Sequence, residues 1–95
     1  MSHLIFTPGA ARDLERCRTF LHEKSPLTAR RAVQAILQKI ETLVSFPGVG
    51  RPSRLRGYRE LVVDFGDSGY IVRYLYNANQ DTVRIAAIWH QREAG

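Results

Sequence analysis

A chain of 95 residues with 14 Lys plus Arg against 9 Asp plus Glu, 44% hydrophobic residues and one cysteine describes a small basic protein. One compact core spanning residues 1–95 is within reach at this length, and a second domain is not. Cys17 alone cannot form an intramolecular disulfide, no Cys/His cluster offers a structural zinc, and no apolar stretch approaches the roughly 20 residues of a membrane span. A cytoplasmic protein without membrane contact is therefore expected.

Twelve of the 14 cations are arginines, with Lys24 and Lys39 the exceptions. Guanidinium groups bind phosphates and carboxylates bidentately and stack on rings, so RNA, DNA or an acidic protein are the partner classes to weigh. The plainer role of such charge is solubility.

The apolar run Leu4 to Phe6 predicts a first strand, and Thr7-Pro8 then supplies a cap and a first-turn proline for a helix. Leu14, Cys17 and Leu21, with Ala10 and Phe20 beside them, give that helix one apolar stripe through about Glu23. Ser25-Pro26 repeats the cap, and the stripe from Ala29 through Ala32, Ile36 and Ile40 to Val44 predicts a longer helix ending near Phe46. So short a connection makes the two helices an antiparallel hairpin. The segment from Pro47 to Gly57 has no periodicity and reads as a loop carrying Arg51, Arg54 and Arg56.

The period then changes to two. Leu61, Val63 and Phe65 mark one strand, Tyr70, Val72, Tyr74 and Tyr76 a second, and Val83, Ile85, Ala87 and Trp89 a third, joined by short turns. The expected fold is α+β: an N-terminal strand and an antiparallel helical hairpin packed on one face of a C-terminal antiparallel meander. By the same alternation, Glu60, Val62, Asp64, Ile71, Arg73, Leu75, Arg84, Ile88 and His90 should line the other, open face, with Trp89 in the core. The tyrosine hydroxyls should reach the rim.

Phosphate loops, dinucleotide fingerprints, zinc-protease motifs and nucleophile elbows are all missing, so no metal or other cofactor is expected. Cys17, on an apolar stripe, reads as a core residue. If Arg73 and His90 shared the open face, Arg59, Arg73 and Arg92 would bind a scissile phosphate, His90 would move a proton, and Glu60 or Asp64 would take the 2′-hydroxyl proton. The simpler reading is a basic edge, with Arg51, Arg54, Arg56 and Arg59, that docks nucleic acid or an acidic partner without chemistry.

Six segments carry a resemblance: Phe6-Thr-Pro-Gly-Ala-Ala-Arg-Asp-Leu14, Ser25-Pro-Leu-Thr-Ala-Arg-Arg31, Phe46-Pro-Gly-Val-Gly-Arg-Pro52, Leu55-Arg-Gly-Tyr-Arg-Glu-Leu61, Ser68-Gly-Tyr-Ile-Val-Arg-Tyr74 and Ile88-Trp-His-Gln-Arg92. In this order and spacing they resemble the RelE/ParE superfamily of toxins from bacterial type II toxin-antitoxin systems. The resemblance implies a helical hairpin on an antiparallel sheet and a cognate antitoxin that wraps the toxin. It implies one of two activities: RelE-like cleavage of mRNA on the ribosome, or ParE-like poisoning of DNA gyrase.

Several positions depart from the RelE-like pattern. Val62 and Asp64 stand where those members carry a basic pair, Ile71 stands where they have arginine, and the chain reaches Gly95 without their terminal tyrosine-containing segment. Arg73, two residues beyond Ile71, would be the substitute, while Arg59, His90 and Arg92 match positions common to the superfamily. The Arg30-Arg31 helix start, Tyr70-Ile71-x-x-Tyr74 and His90-x-Arg92 look more like ParE. The expectation is a ParE-like gyrase inhibitor, with mRNA cleavage as the alternative and an inactive antitoxin-binding module as a third reading. An acidic antitoxin is expected in a groove of Val62, Ile71, Arg73, Leu75 and Ile88.

Overall fold

Both helices begin where their caps place them. In the computed structural model, which describes residues 1–93, Thr7 is extended and its Oγ1 accepts the Ala10 N–H at 3.1 Å. Ser25 Oγ accepts the Thr28 N–H in the same way at 3.2 Å. Each cap satisfies one of the donors a helix start leaves without a partner, and each is followed by a proline whose missing N–H costs nothing there. Helix α1 runs Pro8–His22 and α2 runs Pro26–Glu41. The second helix stops before Phe46, because its last turn tightens into a 3-10 turn at Thr42–Val44. The comparison drawn at Gly95 lies outside the described residues.

Five strands form one mixed sheet: β1 His3–Phe6, β2 Arg51–Pro52, β3 Arg59–Phe65, β4 Ser68–Asn77 and β5 Thr82–His90, in the spatial order β1-β5-β4-β3-β2. The meander β3-β4-β5 is antiparallel as expected, whereas β1 adds to it in parallel, His3 opposite Thr82 and Phe6 opposite Ile85. The two-residue β2, within the segment read as loop, pairs antiparallel with β3 through Arg51 opposite Glu60 and Pro52 opposite Arg59.

The helical hairpin covers one face only. Ala10, Cys17, Ala32, Ile36 and Ile40 from the helices pack against Leu61, Val63, Val72, Tyr74, Val83 and Ile85 from the sheet. These apolar stripes hold the layers together, at roughly 25 cal/mol for each Å² removed from water. In the β3-β4 hairpin, Gly69 is required: a Cβ there would lie 2.2 Å from the Val63 carbonyl oxygen.

The last strand departs from simple alternation. Tyr74 faces Ile85 but the preceding Arg73 faces Ala87, so one extra residue, Ala86, bulges out of β5. A single insertion exchanges the faces of everything beyond it. Ile88, expected on the open face, is 0% exposed and lies in the core. His90 sits beside Tyr70 on the helix-covered face, whereas Trp89, expected in the core, lies over Arg73 on the open face.

The outer edge of β5 beyond β1 is closed by side chains. The Ile85 carbonyl accepts from the Thr7 N–H at 3.1 Å and from Thr7 Oγ1 at 2.9 Å. The Ile88 N–H donates to Asp13 at 2.9 Å, the Ile88 carbonyl accepts from Arg16 at 3.3 Å, and the His90 N–H donates to Glu93 at 2.8 Å. Helix α1 thereby supplies hydrogen bonds that a further strand would have given.

Candidate functional site

Arg73 leaves the middle of β4 on the open face. Its guanidinium lies 4.7 Å from the centre of the Trp89 ring and its Nη2 donates to Glu60 at 3.3 Å. Both charged side chains are largely covered, at 16% and 14% exposure, so the pair is shielded from solvent while the indole covers the cation. Glu60 is further occupied by Arg51 at 3.6 Å and by the Ser53 hydroxyl at 3.0 Å. Asp64 is exposed and opposite Gly69, roughly 13 Å along the strand from Glu60. Neither carboxylate stands free beside a phosphate-sized space lined by Arg73.

The proposed groove on this face is also modified. Val62 faces Ile71 and Ile71 faces Trp89 across the strands, and Ile71 is only 5% exposed. Leu75 lies opposite Arg84 on the same face. Ile88 drops out of the set for the reason given above, so the open face offers a largely self-covered row.

His90 lies on the other side of the sheet. Its Nδ1 accepts the Arg92 N–H at 3.2 Å and its Nε2 is 2.8 Å from Ser68 Oγ. Because Nδ1 accepts, the ring proton resides on Nε2 and is directed at the serine hydroxyl. The ring meets Tyr70 edge to face with centroids 5.3 Å apart. Both nitrogens are thus engaged, Nδ1 with the turn that follows β5 and Nε2 with the start of β4. Arg92 and Glu93 lie on that turn, and Glu93 bridges back to Arg16 of α1 at 3.1 Å.

Arg59 is held in a third place. Its Nη1 donates to the Gly50 carbonyl at 2.7 Å, and the Gly50 N–H donates to Tyr74 Oη at 2.8 Å. The Tyr74 side chain is fully buried, contrary to the expectation that its hydroxyl would reach the rim, and burial pushes its phenol above the ordinary range. A side chain at position 50 would collide with this knot, its Cβ standing 2.7 Å from Tyr74 Oη. Arg59 is an anchor for the loop rather than a member of its basic surface.

The four residues expected to converge are therefore divided: Arg73 on the open face, His90 and Arg92 at the far end of the covered face, and Arg59 at the β2-β3 edge. Phosphodiester transfer needs a proton-moving group and cation donors within hydrogen-bond reach of the same reacting atoms, and these groups do not share one.

One surface had no counterpart in the sequence reading, and a second was foreseen there only in its charge. The first is a cleft of about 570 Å³ between α1 and the ends of β4 and β5, walled by Cys17, Phe20, Leu21, Tyr70 and His90 and rimmed by Arg16, Lys24, Arg92 and Glu93. Phe20, beside the apolar stripe of its helix yet 60% exposed, was the available signal. Burial pushes the Cys17 thiol up to about 11, which keeps it protonated and unreactive. The second is the loop around β2, where Phe46, Val49 and Leu55 are exposed among the arginines. Among the described residues no cluster of His, Cys, Asp and Glu is arranged to hold a metal ion, and no helix is long and apolar enough to cross a membrane.

Comparison with known proteins agrees with this architecture. The family described as "ParE toxin of type II toxin-antitoxin system, parDE" matches residues 4–95. Toxin RelE3 of Caulobacter vibrioides is 38% identical over 86 residues, 90% of each chain, and toxin RelE1 of the same organism is 32% identical over 84 residues, 88% of this chain and 87% of the relative. Among solved structures, a chain of the chromosomal ParDE toxin-antitoxin system of P. aeruginosa superimposes with a TM-score of 0.78 at 27% identity, over 95% of this chain and 96% of that one. A chain of the E. coli RelBE complex superimposes with a TM-score of 0.65 at 12% identity, over 99% of this chain and 100% of that one, and shows the shared fold. A mixed five-stranded sheet under a capped helical hairpin, matched to these relatives over nearly its full length, establishes that the chain belongs to the ParE toxin family of type II toxin-antitoxin systems, within the RelE/ParE superfamily.

Proposed function

We propose that this toxin acts in the cytoplasm as a binding inhibitor of DNA gyrase and blocks replication without catalysing a reaction of its own. The observation that carries this reading is the separation of Arg73 and His90 onto opposite faces of the sheet, each already engaged by neighbours. The RNA-cleaving constellation read from the sequence needs those groups together and free to meet a phosphate. The match to the ParE family, and the greater structural likeness to the ParDE chain than to the RelBE chain above, support the same choice.

An acidic antitoxin segment neutralises it in this reading. The cleft between α1 and β5 offers an exposed apolar side chain, Phe20, with Lys24 4.8 Å from its ring centre and Arg92 on the rim. An amphipathic acidic helix fits that combination. Affinity for it should fall several-fold between 50 and 500 mM salt, because the rim charges are exposed and screened.

The deciding experiment is a supercoiling and DNA-cleavage assay with purified toxin and gyrase, run beside a cell-free translation reaction. Inhibited supercoiling with trapped DNA breaks and intact mRNA is expected. Cut mRNA with unaffected gyrase would reverse the choice in favour of a ribosome-dependent nuclease, the activity implied for RelE-like members. Induced expression with no growth inhibition would favour an inactive antitoxin-binding module.

A further inference from the structure

From Thr42 to Arg59 the sequence contains no acidic residue and four arginines. In the fold this stretch is neither loose nor self-neutralising. Gly50 is fixed through both its N–H and its carbonyl, by Tyr74 Oη at 2.8 Å and by Arg59 at 2.7 Å. Beyond β2, the Ser53 N–H donates to the Tyr58 carbonyl at 2.9 Å, and the Leu55 N–H donates to Ser53 Oγ at 3.2 Å. A buried tyrosine and a strand arginine thus have their polar groups committed to holding a loop in one shape.

What the held loop displays is apolar and cationic. Phe46, Val49 and Leu55 are 67%, 60% and 49% exposed on either side of the two-residue β2, a strand only about 7 Å long. Arg54 and Arg56 are exposed on either side of Leu55 in the chain, without a carboxylate partner among the described residues. Solvent-facing apolar side chains are ordinary singly, but three within ten residues of a loop pinned at Gly50, with two free guanidiniums beside the last, have the composition of an interface centre. Because the loop is already ordered, binding through it does not have to supply that ordering free energy.

We infer that the edge bearing Phe46, Val49, Arg54, Leu55 and Arg56 is the surface through which the toxin grips its macromolecular target, and that the target presents an acidic protein face with an apolar recess. Val49 and Leu55 favour protein over nucleic acid, since bases stack on aromatic rings and guanidiniums and find little in aliphatic side chains. The identity of that target as gyrase rests on the reading above; the surface itself does not.

The test uses two paired variants, Phe46→Ser with Leu55→Ser, and Arg54→Ser with Arg56→Ser, each checked by circular dichroism for an unchanged thermal midpoint. Both pairs are exposed, and the single variants Phe46→Ser and Arg54→Ser serve if a pair does not fold. Each folded variant should need roughly tenfold more protein to inhibit purified gyrase and should arrest growth less on induction, with the arginine pair also losing the salt dependence. Gyrase inhibition and growth arrest at wild-type levels in both pairs would overturn the inference and leave the gyrase reading intact. Wild-type growth arrest with untouched gyrase, lost in both pairs, would support the surface and refute gyrase as the target. Binding of wild-type toxin to a bare 20-base-pair duplex or single-stranded RNA, lost only in the arginine pair, would make the partner a nucleic acid and overturn the protein assignment.

Discussion

From Thr82 to Ile85, β5 lies between two strands, with β1 in parallel on one side and β4 antiparallel on the other. From Ala87 to His90 it has β4 on one side and the side chains of Asp13, Arg16 and Glu93 on the other. The first half satisfies its backbone through a ladder, which fixes direction and register together. The second half satisfies it through a helix and the following turn, and the bulge at Ala86 marks the change. The extra residue at that change exchanges the faces of the side chains beyond it, which is why Ile88 is core and Trp89 lies on the open face.

The most severe way to break this contrast is to truncate the residue that the bulge turns inward. Ile88→Ala should cost about 2–5 kcal/mol in urea unfolding, from lost transfer energy and the cavity left behind. A loss below about 1 kcal/mol would place Ile88 on the surface and restore plain alternation.

Next in size is an alkaline effect at Cys17, which lines the cleft beneath this second half. Burial raises its thiol to about 11 from an ordinary 9.0, so the folded state holds the proton more tightly than the unfolded one. Its contribution is complete below pH 9 and is lost as pH rises toward 11, a decline that Cys17→Ala should not show. Parallel decline of the two proteins over that range would mean the thiol is not buried.

Asp13→Ala removes the acceptor of the Ile88 N–H and should cost about 1–3 kcal/mol, with faster amide exchange at Ile88. Asp13→Asn keeps an acceptor oxygen and should recover part of the loss. Unchanged exchange in the alanine variant would remove the claim that α1 takes the place of a strand. Trp89→Leu should cost least, about 0.5–1 kcal/mol, by uncovering the Arg73 guanidinium, with a small rise in the mobility of Arg73 detectable by NMR relaxation.

The parts of the fold legible in the sequence are those whose causes are local. Thr7-Pro8 and Ser25-Pro26 announce helix starts because cap and helix lie within four residues of each other. The period of two announces β3 and β4 because side chains alternate from each residue to the next. Three features have distant causes and were not legible: the parallel seat of β1, the two-residue β2, and the bulge. Arg51-Pro52 carries no pattern, and its pairing depends on Gly50 fitting under Tyr74, 24 positions away. The bulge had a faint sign in Ala86-Ala87, two small residues that lengthen the step from Ile85 to Ile88 from two to three. The candidate site was misread for two reasons: a shift of a single residue sent His90 away from Arg73, and Arg59 is drawn to the Gly50 carbonyl at the β2-β3 edge. The resemblance identified the superfamily independently, since segment order survives an error of face.

The parallel seating of β1 also has a consequence for synthesis. Ser2 is bonded to Asp81, 79 residues further along the chain, and the first strand has no edge to join until β5 exists. On a ribosome adding roughly 5–20 residues each second, the first strand and the apolar stripes of both helices would wait several seconds for the last strand to emerge. Closure of the sheet across so long a loop is also intrinsically slow. The polypeptide therefore completes its toxin fold only once β5 has emerged, and until then the surface destined for its core is open to whatever partner is nearby.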